Sequence, residues 1–421
     1  MSRSVRLATL RPDLAVKRLI ELLGPTGSAA RQGLAALTAN ALTSLVAGLL
    51  LIGFEPTWRA HAPLIVLIPA AIGLRGNVFS TLGSRLSTSI HMGTFKITLA
   101  LDSVLGQNLI AAFTLTFAMS TLLGVFAKVF ALGLGIEHSM TLGQIIAVSV
   151  IGGFIGSVVV AGAAVILTLG AVRFGWDLDN LVAPSISTLG DVITIPAIWL
   201  AAQMLDDGVV LTTVGLALGV ASIGLTVAVL RSKVQQLACT ITKESLPVLS
   251  AGIVLSGFAG VVIQKQSNLL SMVPAVWAMQ PAVLSGVGAL GGIMCGRVAT
   301  NLHIGSVEPT LSPSAQTRRD ASLILSLAVP ITILNAVGGV VVARLVNNNT
   351  YPGLWWTLAI SACAFALTTL FVIALAYYST IGAWRLNVDP DSYGVPVVTA
   401  AVDFIGTVAL VVAVVAFGLT G

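Results

Sequence analysis

Two aspartates, Asp191 and Asp403, are the residues whose type and spacing best suit cation binding. Both lie among apolar neighbours such as Ile193 and Phe404. A carboxylate in so apolar a segment is costly unless it faces water, a cation or a partner. Two facing carboxylates repel, and a divalent cation between them relieves the repulsion. Magnesium prefers octahedral oxygen coordination and gives up water reluctantly, so this pair suits a hydrated magnesium ion. The alternative is that each aspartate bonds an arginine or a backbone group.

The spacing of the two aspartates recurs elsewhere in the chain and indicates an internal repeat. Their residue numbers differ by a fixed offset (403 − 191 = 212), and separate blocks of matched residues share it without a gap. The matched residues include Pro69 and Pro281, Arg85 and Arg297, His91 and His303, Asp177 and Asp389, Asp179 and Asp391, and Pro184 and Pro396. We interpret the chain as two fused copies of one unit, each with an aspartate in its last helix.

The elements that carry these residues are predicted to be membrane helices. Hydrophobic residues make up 56% of the 421 and charged residues 9%, and the mean hydropathy is +1.00. Soluble domains carry roughly 25% charged residues. The apolar runs are long enough to cross a bilayer as helices and too continuous for a strand barrel. The fold class is therefore all-α integral membrane, which argues against a soluble enzyme.

Eleven membrane helices are expected, arranged as five, one linker and five. Their predicted ranges are about 33–54, 62–82, 100–132, 140–172, 182–205, 208–230, 245–264, 270–295, 320–346, 353–380 and 394–420. The domain division is a cytoplasmic N-terminal arm (1–30), a first repeat (31–206), a linker helix (207–231) and a second repeat (232–421). An odd-numbered unit repeated directly would be inverted, and one extra crossing restores its orientation. We expect a pseudo-twofold axis along the membrane normal, with a path between the repeats.

The distribution of basic residues predicts the orientation. Counting from a cytoplasmic start, most basic residues fall on or near the cytoplasmic side. These are Arg75, Arg85, Lys96, Arg173, Arg231, Lys233, Lys243, Arg297, Arg318, Arg319 and Arg385. We expect a multi-pass plasma-membrane protein with its N-terminus inside and its C-terminus outside. A single chain is expected to form the path, with a dimer as the alternative.

Several polar segments are secondary candidates. Acidic pairs at Asp177/Asp179 and Asp389/Asp391, before the helix-opening prolines, either cap helices or form an ion-attracting vestibule. The segments Arg85–Gly93 and Arg297–Gly305 each carry a histidine, His91 or His303, that could ligate a metal. Because imidazole suits transition metals better than magnesium, we interpret both segments as cytoplasmic loops with structural hydrogen bonds. The three cysteines are scattered, which argues against a metal or disulfide motif. No nucleotide or cofactor motif is visible in the sequence.

Two stretches carry a family resemblance over about residues 31–420. Gly73-Leu74-Arg75-Gly76-Asn77, continuing through Ser84-Arg85-Leu86-Ser87-Thr88, resembles the signature of MgtE-like magnesium transporters. Asp177–Pro184 followed by Ser187-Thr188-Leu189-Gly190-Asp191 resembles that family's last helix, and Asp389–Asp403 is a weaker second copy. In its organisation the chain resembles especially the solute-carrier branch, in which two membrane domains are fused.

The resemblance implies five helices per unit around a central cation path, with Mg²⁺ as the transported substrate. It implies that Asp191 and Asp403 bind a largely hydrated ion, with carbonyls at Ser187 and Thr399 one turn earlier. It also implies roles for Asn77 in the second helix and for an acidic residue at the start of the first. Glu244 is the acidic residue at this position of the second copy, whereas the first copy departs from the family with Gln32. In the second copy Ala289 stands where the first has Asn77.

The sequence is also compatible with other functions. The chain is a magnesium channel or a cation-coupled exchanger, or it carries another divalent ion such as Mn²⁺ or Co²⁺, because oxygen ligands discriminate poorly. A remote alternative is an intramembrane aspartyl protease, which also uses two membrane aspartates. Thr188 and Val402 depart from that enzyme's motifs, and two equivalent aspartates suit a symmetric ion site better than an acid/base pair. We therefore expect no enzyme activity.

Overall fold

The computed structural model describes residues 26–91, 95, 98, 100–135, 140–174, 178–205, 209–347, 350–386 and 390–419. Eleven long helices account for most of them and are numbered α1–α11 in chain order. They are α1 (Thr26–Gly53), α2 (Ala62–His91), α3 (Val104–Gly133), α4 (Leu142–Phe174), α5 (Leu178–Ala202), α6 (Val209–Arg231), α7 (Gln236–Lys265), α8 (Pro274–His303), α9 (Ala315–Asn347), α10 (Leu354–Arg385) and α11 (Pro390–Ala416). Short helices Glu55–Ala60 and Ser267–Met272 precede α2 and α8.

The predicted all-helical membrane fold is confirmed. Ten of the described helices are long and apolar enough to cross a membrane, and α5 contributes a shorter apolar stretch, Thr188–Ala202. Helices suit this environment because each satisfies its own backbone hydrogen bonds where lipid offers none. Within the described ranges the chain contains no strand.

The repeat inferred from the sequence reappears in the helix boundaries. Helix α2 begins at Ala62 and ends at His91. Helix α8 begins at Pro274 and ends at His303, so the offset found in the sequence holds at both ends of this pair. The two short helices obey the same shift, and the other four pairs (α1 and α7, α3 and α9, α4 and α10, α5 and α11) obey it to within two residues. Among the described helices only α6 lies outside these pairs, and it connects the two copies.

The first helices of the two copies are exchanged in space. Helix α1 packs on α8 and α9 of the second copy, whereas α7 packs on α2 and α3 of the first. Leu37 and Ala41 accordingly belong to a hydrophobic core built mainly from the second copy. Leu249 and Ile253 belong to the core built mainly from the first. The two copies are therefore interlocked, and the sequence units differ from the packing units.

Glycines make the exchanged contacts possible. Gly48 in α1 lies so close to the backbone carbonyl of Ala278 in α8 that a side chain would collide with it. Gly260 in α7 meets the backbone of Val66 in α2 in the same way, and the residues of this second pair are the repeat counterparts of the first. Small residues that let backbones approach are a typical basis of helix association in membranes.

The structure corrects three local expectations. Residues 85–91 and 297–303 are the last turns of α2 and α8, not loops. Polar residues can follow an apolar segment in the same helix, since each turn satisfies its own backbone hydrogen bonds. Pro184 and Pro396 lie inside α5 and α11 and do not open them.

The third correction concerns Arg75, which the distribution of basic residues places among the cytoplasmic charges. It lies in the middle of α2 and is buried. Its guanidinium donates hydrogen bonds to the hydroxyl of Thr194 at 2.6 Å and to the carbonyl of Gly152 at 3.3 Å. These acceptors on α5 and α4 allow a charged side chain to remain inside the bundle, so Arg75 gives no information about orientation.

Candidate cation site

A cavity of about 490 Å³ lies between the two copies and is lined mainly by α1, α2, α5, α8 and α11. Both Asp191 and Asp403 line it. Most of the other lining side chains are apolar, including Trp58, Ile65 and Leu284. Two carboxylates on one cavity repel each other when both are charged.

Asp403 in α11 is held by a serine from the exchanged helix α7. The Ser256 hydroxyl donates a hydrogen bond to Asp403 Oδ2 at 2.6 Å. Gly73 of α2 faces the same oxygen, which would lie 3.0 Å from a Cβ placed there. The glycine thus leaves room for the carboxylate at the cavity wall.

Asp191 in α5 is held differently. It is 8% exposed, and its Oδ2 accepts a hydrogen bond from the Ser285 hydroxyl of α8 at 3.1 Å. Ser285 is the repeat counterpart of Gly73, so each aspartate faces the same position of the other copy's second helix. Ser44, the counterpart of Ser256, is buried and its hydroxyl has no hydrogen-bond partner among the described residues. The two aspartates therefore occupy equivalent positions but accept hydrogen bonds from serines on different helices.

Asn77 and Thr399 add neutral oxygens to the same cavity. The Thr399 hydroxyl lies 3.3 Å from Asn77 Oδ1 and 3.1 Å from the Pro396 carbonyl oxygen, and its single hydrogen is donated to one of these acceptors at a time. Both residues line the cavity. Because the counterpart of Asn77 is Ala289, this polar contact exists beside only one of the two aspartates.

The structure thus brings together four of the six predicted site residues: Asp191, Asp403, Asn77 and Thr399. Ser187 lies in α5, but its side chain is outside the described residues. Glu244 is exposed in α7, does not line the cavity, and interacts electrostatically with Arg85.

The secondary candidates do not gather at the cavity. His303 packs edge-on against Trp384, with ring centroids 5.0 Å apart. Asp177 and Asp389 are outside the described residues, as are the side chains of His91, Asp179 and Asp391. Across the described ranges no group of three or more His, Cys, Asp or Glu is placed to hold a metal ion. The site is a pair of carboxylates with neutral oxygens, an arrangement that suits a hydrated hard cation.

Three further polar residues that support the aspartates were missed from the sequence: Ser256, Ser285 and Asn40. Serines in apolar helices are common and carry no signal by themselves. One signal was available for Ser256, because its repeat counterpart is also a serine, Ser44. Ser285 and Asn40 have glycine counterparts, Gly73 and Gly252, so the repeat gave no indication of them.

Comparison with known families agrees with this geometry. A family model described as MgtE, divalent cation transporter, matches residues 68–201 and 280–413. The two matches are related by the same offset as the two aspartates, and together they cover more than half of the chain. The chain belongs to the MgtE family. The MgtE-like resemblance found in the sequence is thereby confirmed, and since this family comprises transporters, the protease alternative is not supported.

Individual relatives of this MgtE-family chain are solute carriers. Solute carrier family 41 member 2 of Xenopus laevis is 24% identical over 374 residues, which are 82% of this chain and 64% of that protein. Member 3 of Mus musculus is 26% identical over 388 residues, covering 86% of this chain and 77% of that protein. The human member 2 is 24% identical over 383 residues, covering 84% and 64%. The chain thus spans less than two thirds of these member 2 proteins.

Among solved structures, the eukaryotic MATE transporter AtDTX14 aligns with 92% of this MgtE-family chain and 95% of its own, at 12% identity and a TM-score of 0.32. A score at that level does not establish a common fold.

Proposed function

We propose that this chain transports a divalent cation, with Mg²⁺ as its principal substrate, through the cavity between its two copies. The observation that carries the proposal is that Asp191 and Asp403, one from each copy, line the same cavity. Both lie in helices where an isolated carboxylate is costly. A divalent cation between them removes the repulsion and balances both charges.

The size of the cavity supports a hydrated ion. Magnesium in an octahedral shell carries six waters, and at about 30 Å³ per water the shell occupies roughly 180 Å³. The cavity of about 490 Å³ accommodates that shell with its waters between the ion and the carboxylates. The hydroxyls of Ser256, Ser285 and Thr399 and the amide of Asn77 then orient the carboxylates and the water shell.

Orientation and assembly belong to the same proposal. The remaining basic residues favour a cytoplasmic N-terminus and an outer C-terminus in the plasma membrane. Because both aspartates come from one chain, a monomer suffices for the path. Ser187 contributes through its backbone carbonyl, at the position equivalent to Thr399.

The test is magnesium uptake by proteoliposomes that hold a fluorescent magnesium indicator. Asp191→Asn and Asp403→Asn each remove one charge and are expected to abolish uptake. Asp320→Asn is the matched control: Asp320 is also a buried carboxylate, in α9, but it pairs with Arg297 at 3.4 Å and does not line the cavity. Wild-type uptake in both cavity variants would refute the site.

Two further arms of the assay define the transport mode and the selectivity. A sodium or proton gradient that changes the wild-type rate indicates a coupled exchanger, whereas uptake driven by membrane potential alone indicates a channel. Competition by Mn²⁺ or Co²⁺ measures how strictly the oxygen ligands select magnesium.

A further inference from the structure

We infer that Asn40 and Ser285 form a hydrogen-bonded relay that positions the Asp191 carboxylate for cation binding. The inference rests on the proposed transport function. It assigns roles to two residues that the repeat and the motifs did not indicate.

The geometry places three oxygens in a row. Ser285 Oγ lies 3.0 Å from Asn40 Oδ1 and 3.1 Å from Asp191 Oδ2. A serine hydroxyl has a single hydrogen, so it serves only one of these acceptors. A carboxylate is the stronger acceptor, since charge-assisted hydrogen bonds are roughly twice as strong as neutral ones. The hydrogen therefore goes to Asp191, and an uncompensated oxygen–oxygen contact is left at Asn40.

The amide of Asn40 resolves this conflict by turning over. Asn40 is 9% exposed, and its Nδ2 is buried with no hydrogen-bond partner in the part of the chain that the structure describes. The two ends of an asparagine amide are assigned from hydrogen bonding and are nearly identical in shape. With the amide turned over, Nδ2 donates to Ser285 Oγ and the unpaired buried N–H disappears. The resulting chain runs from Asn40 through Ser285 to Asp191.

The same rotation moves a carbonyl oxygen to the position of the unpaired nitrogen. That position is buried, so although Asn40 lines the cavity, its amide acts on a bound cation through Ser285 and Asp191. The relay thus orients the Asp191 carboxylate. Because a donor that itself accepts a hydrogen bond is polarised, each link strengthens the next.

The second aspartate is supported without such a relay. The counterparts of Asn40 and Ser285 are Gly252 and Gly73, and Asp403 is bonded instead by Ser256. Neither glycine has a side chain that could donate to the carboxylate or to the serine. The two carboxylates are therefore held by different residues, although the repeat makes them equivalent in position.

The experiment is a double-mutant cycle on the half-saturating magnesium concentration in the proteoliposome assay. Ser285→Ala is expected to raise that concentration by about tenfold, as loss of a hydrogen bond to a charged group predicts. Asn40→Ala is expected to raise it severalfold. The double variant is expected to match Ser285→Ala alone, because Asn40 acts only through the serine. The maximal rate per active protein is expected to stay within about twofold of wild type.

Ser285→Thr keeps the hydroxyl and is expected to restore tight binding. Half-saturation does not depend on how much protein folds, so a variant of low yield remains informative. Independent, multiplied losses in the double variant would overturn the relay, as would a wild-type half-saturation in Ser285→Ala. If both Asp191→Asn and Asp403→Asn take up magnesium at the wild-type rate, the proposed cation site itself fails. If uptake requires Asp191 but ignores Ser285 and Asn40, only the relay fails.

Discussion

The backbone of Gly48 in α1 lies directly against the carbonyl group of Ala278 in α8. This contact fixes the exchange of first helices between the two copies, and Gly260 with Val66 repeats it on the other side. Since α1 and α8 also supply Asn40 and Ser285, the same crossing determines where the polar wall of the cavity forms.

Gly48→Ala tests that crossing. The added methyl group would overlap a backbone carbonyl that cannot move without shifting a whole helix, and overpacking of this kind costs about 1–3 kcal/mol. We expect a lower thermal unfolding temperature in detergent. The control is Gly224→Ala in α6, where a Cβ would meet nothing within 4 Å; equal unfolding temperatures for the two variants would contradict the exchanged packing.

Gly156→Ala tests the pocket that holds Arg75. A Cβ at Gly156 would lie against the Arg75 guanidinium, whose hydrogen bonds to Thr194 and Gly152 hold it in place. We expect destabilisation of about 1–3 kcal/mol, measured by thermal unfolding. Gly162→Ala is the matched control on the same helix, because its surroundings are open, and it is expected to be neutral or slightly stabilising.

Ser256→Ala removes the hydroxyl that holds Asp403. A hydrogen bond of 2.6 Å to a carboxylate is of the strong, charge-assisted class. We expect the half-saturating magnesium concentration to rise by about tenfold. Ser250→Ala on the same helix is the control, since that hydroxyl donates to the carbonyl of Leu246. Equal affinities in the two variants would show that Asp403 needs no support from α7.

Glu244→Gln examines the one predicted acidic ligand that lies away from the cavity. Glu244 is exposed beside Arg85, and an exposed charge pair contributes about 0–1 kcal/mol. We expect the half-saturating magnesium concentration to remain at its wild-type value, in contrast to Asp403→Asn. A severalfold increase would place Glu244 on the ion's route into the cavity.

Much of the architecture follows from the sequence because it depends on local composition and on the repeat. Apolar runs of bilayer length predict eleven helices, since a helix is how a single apolar segment satisfies its backbone in lipid. The constant offset between matched residues predicts two copies and singles out Asp191 and Asp403. Both inferences need only information that is contiguous or periodic along the chain.

The tertiary structure decided which helices and side chains contact one another, not which segments form helices. The exchange of α1 and α7 depends on glycines such as Gly48, whose role appears only when another backbone approaches. The hydrophobicity of α2 did not reveal that Arg75 bonds Thr194 inside the bundle. Nor did the repeat reveal that Ser256 supports one aspartate while Ser285 supports the other. A repeat copies backbone positions, but side-chain contacts form between helices distant in sequence, and there the two copies have diverged.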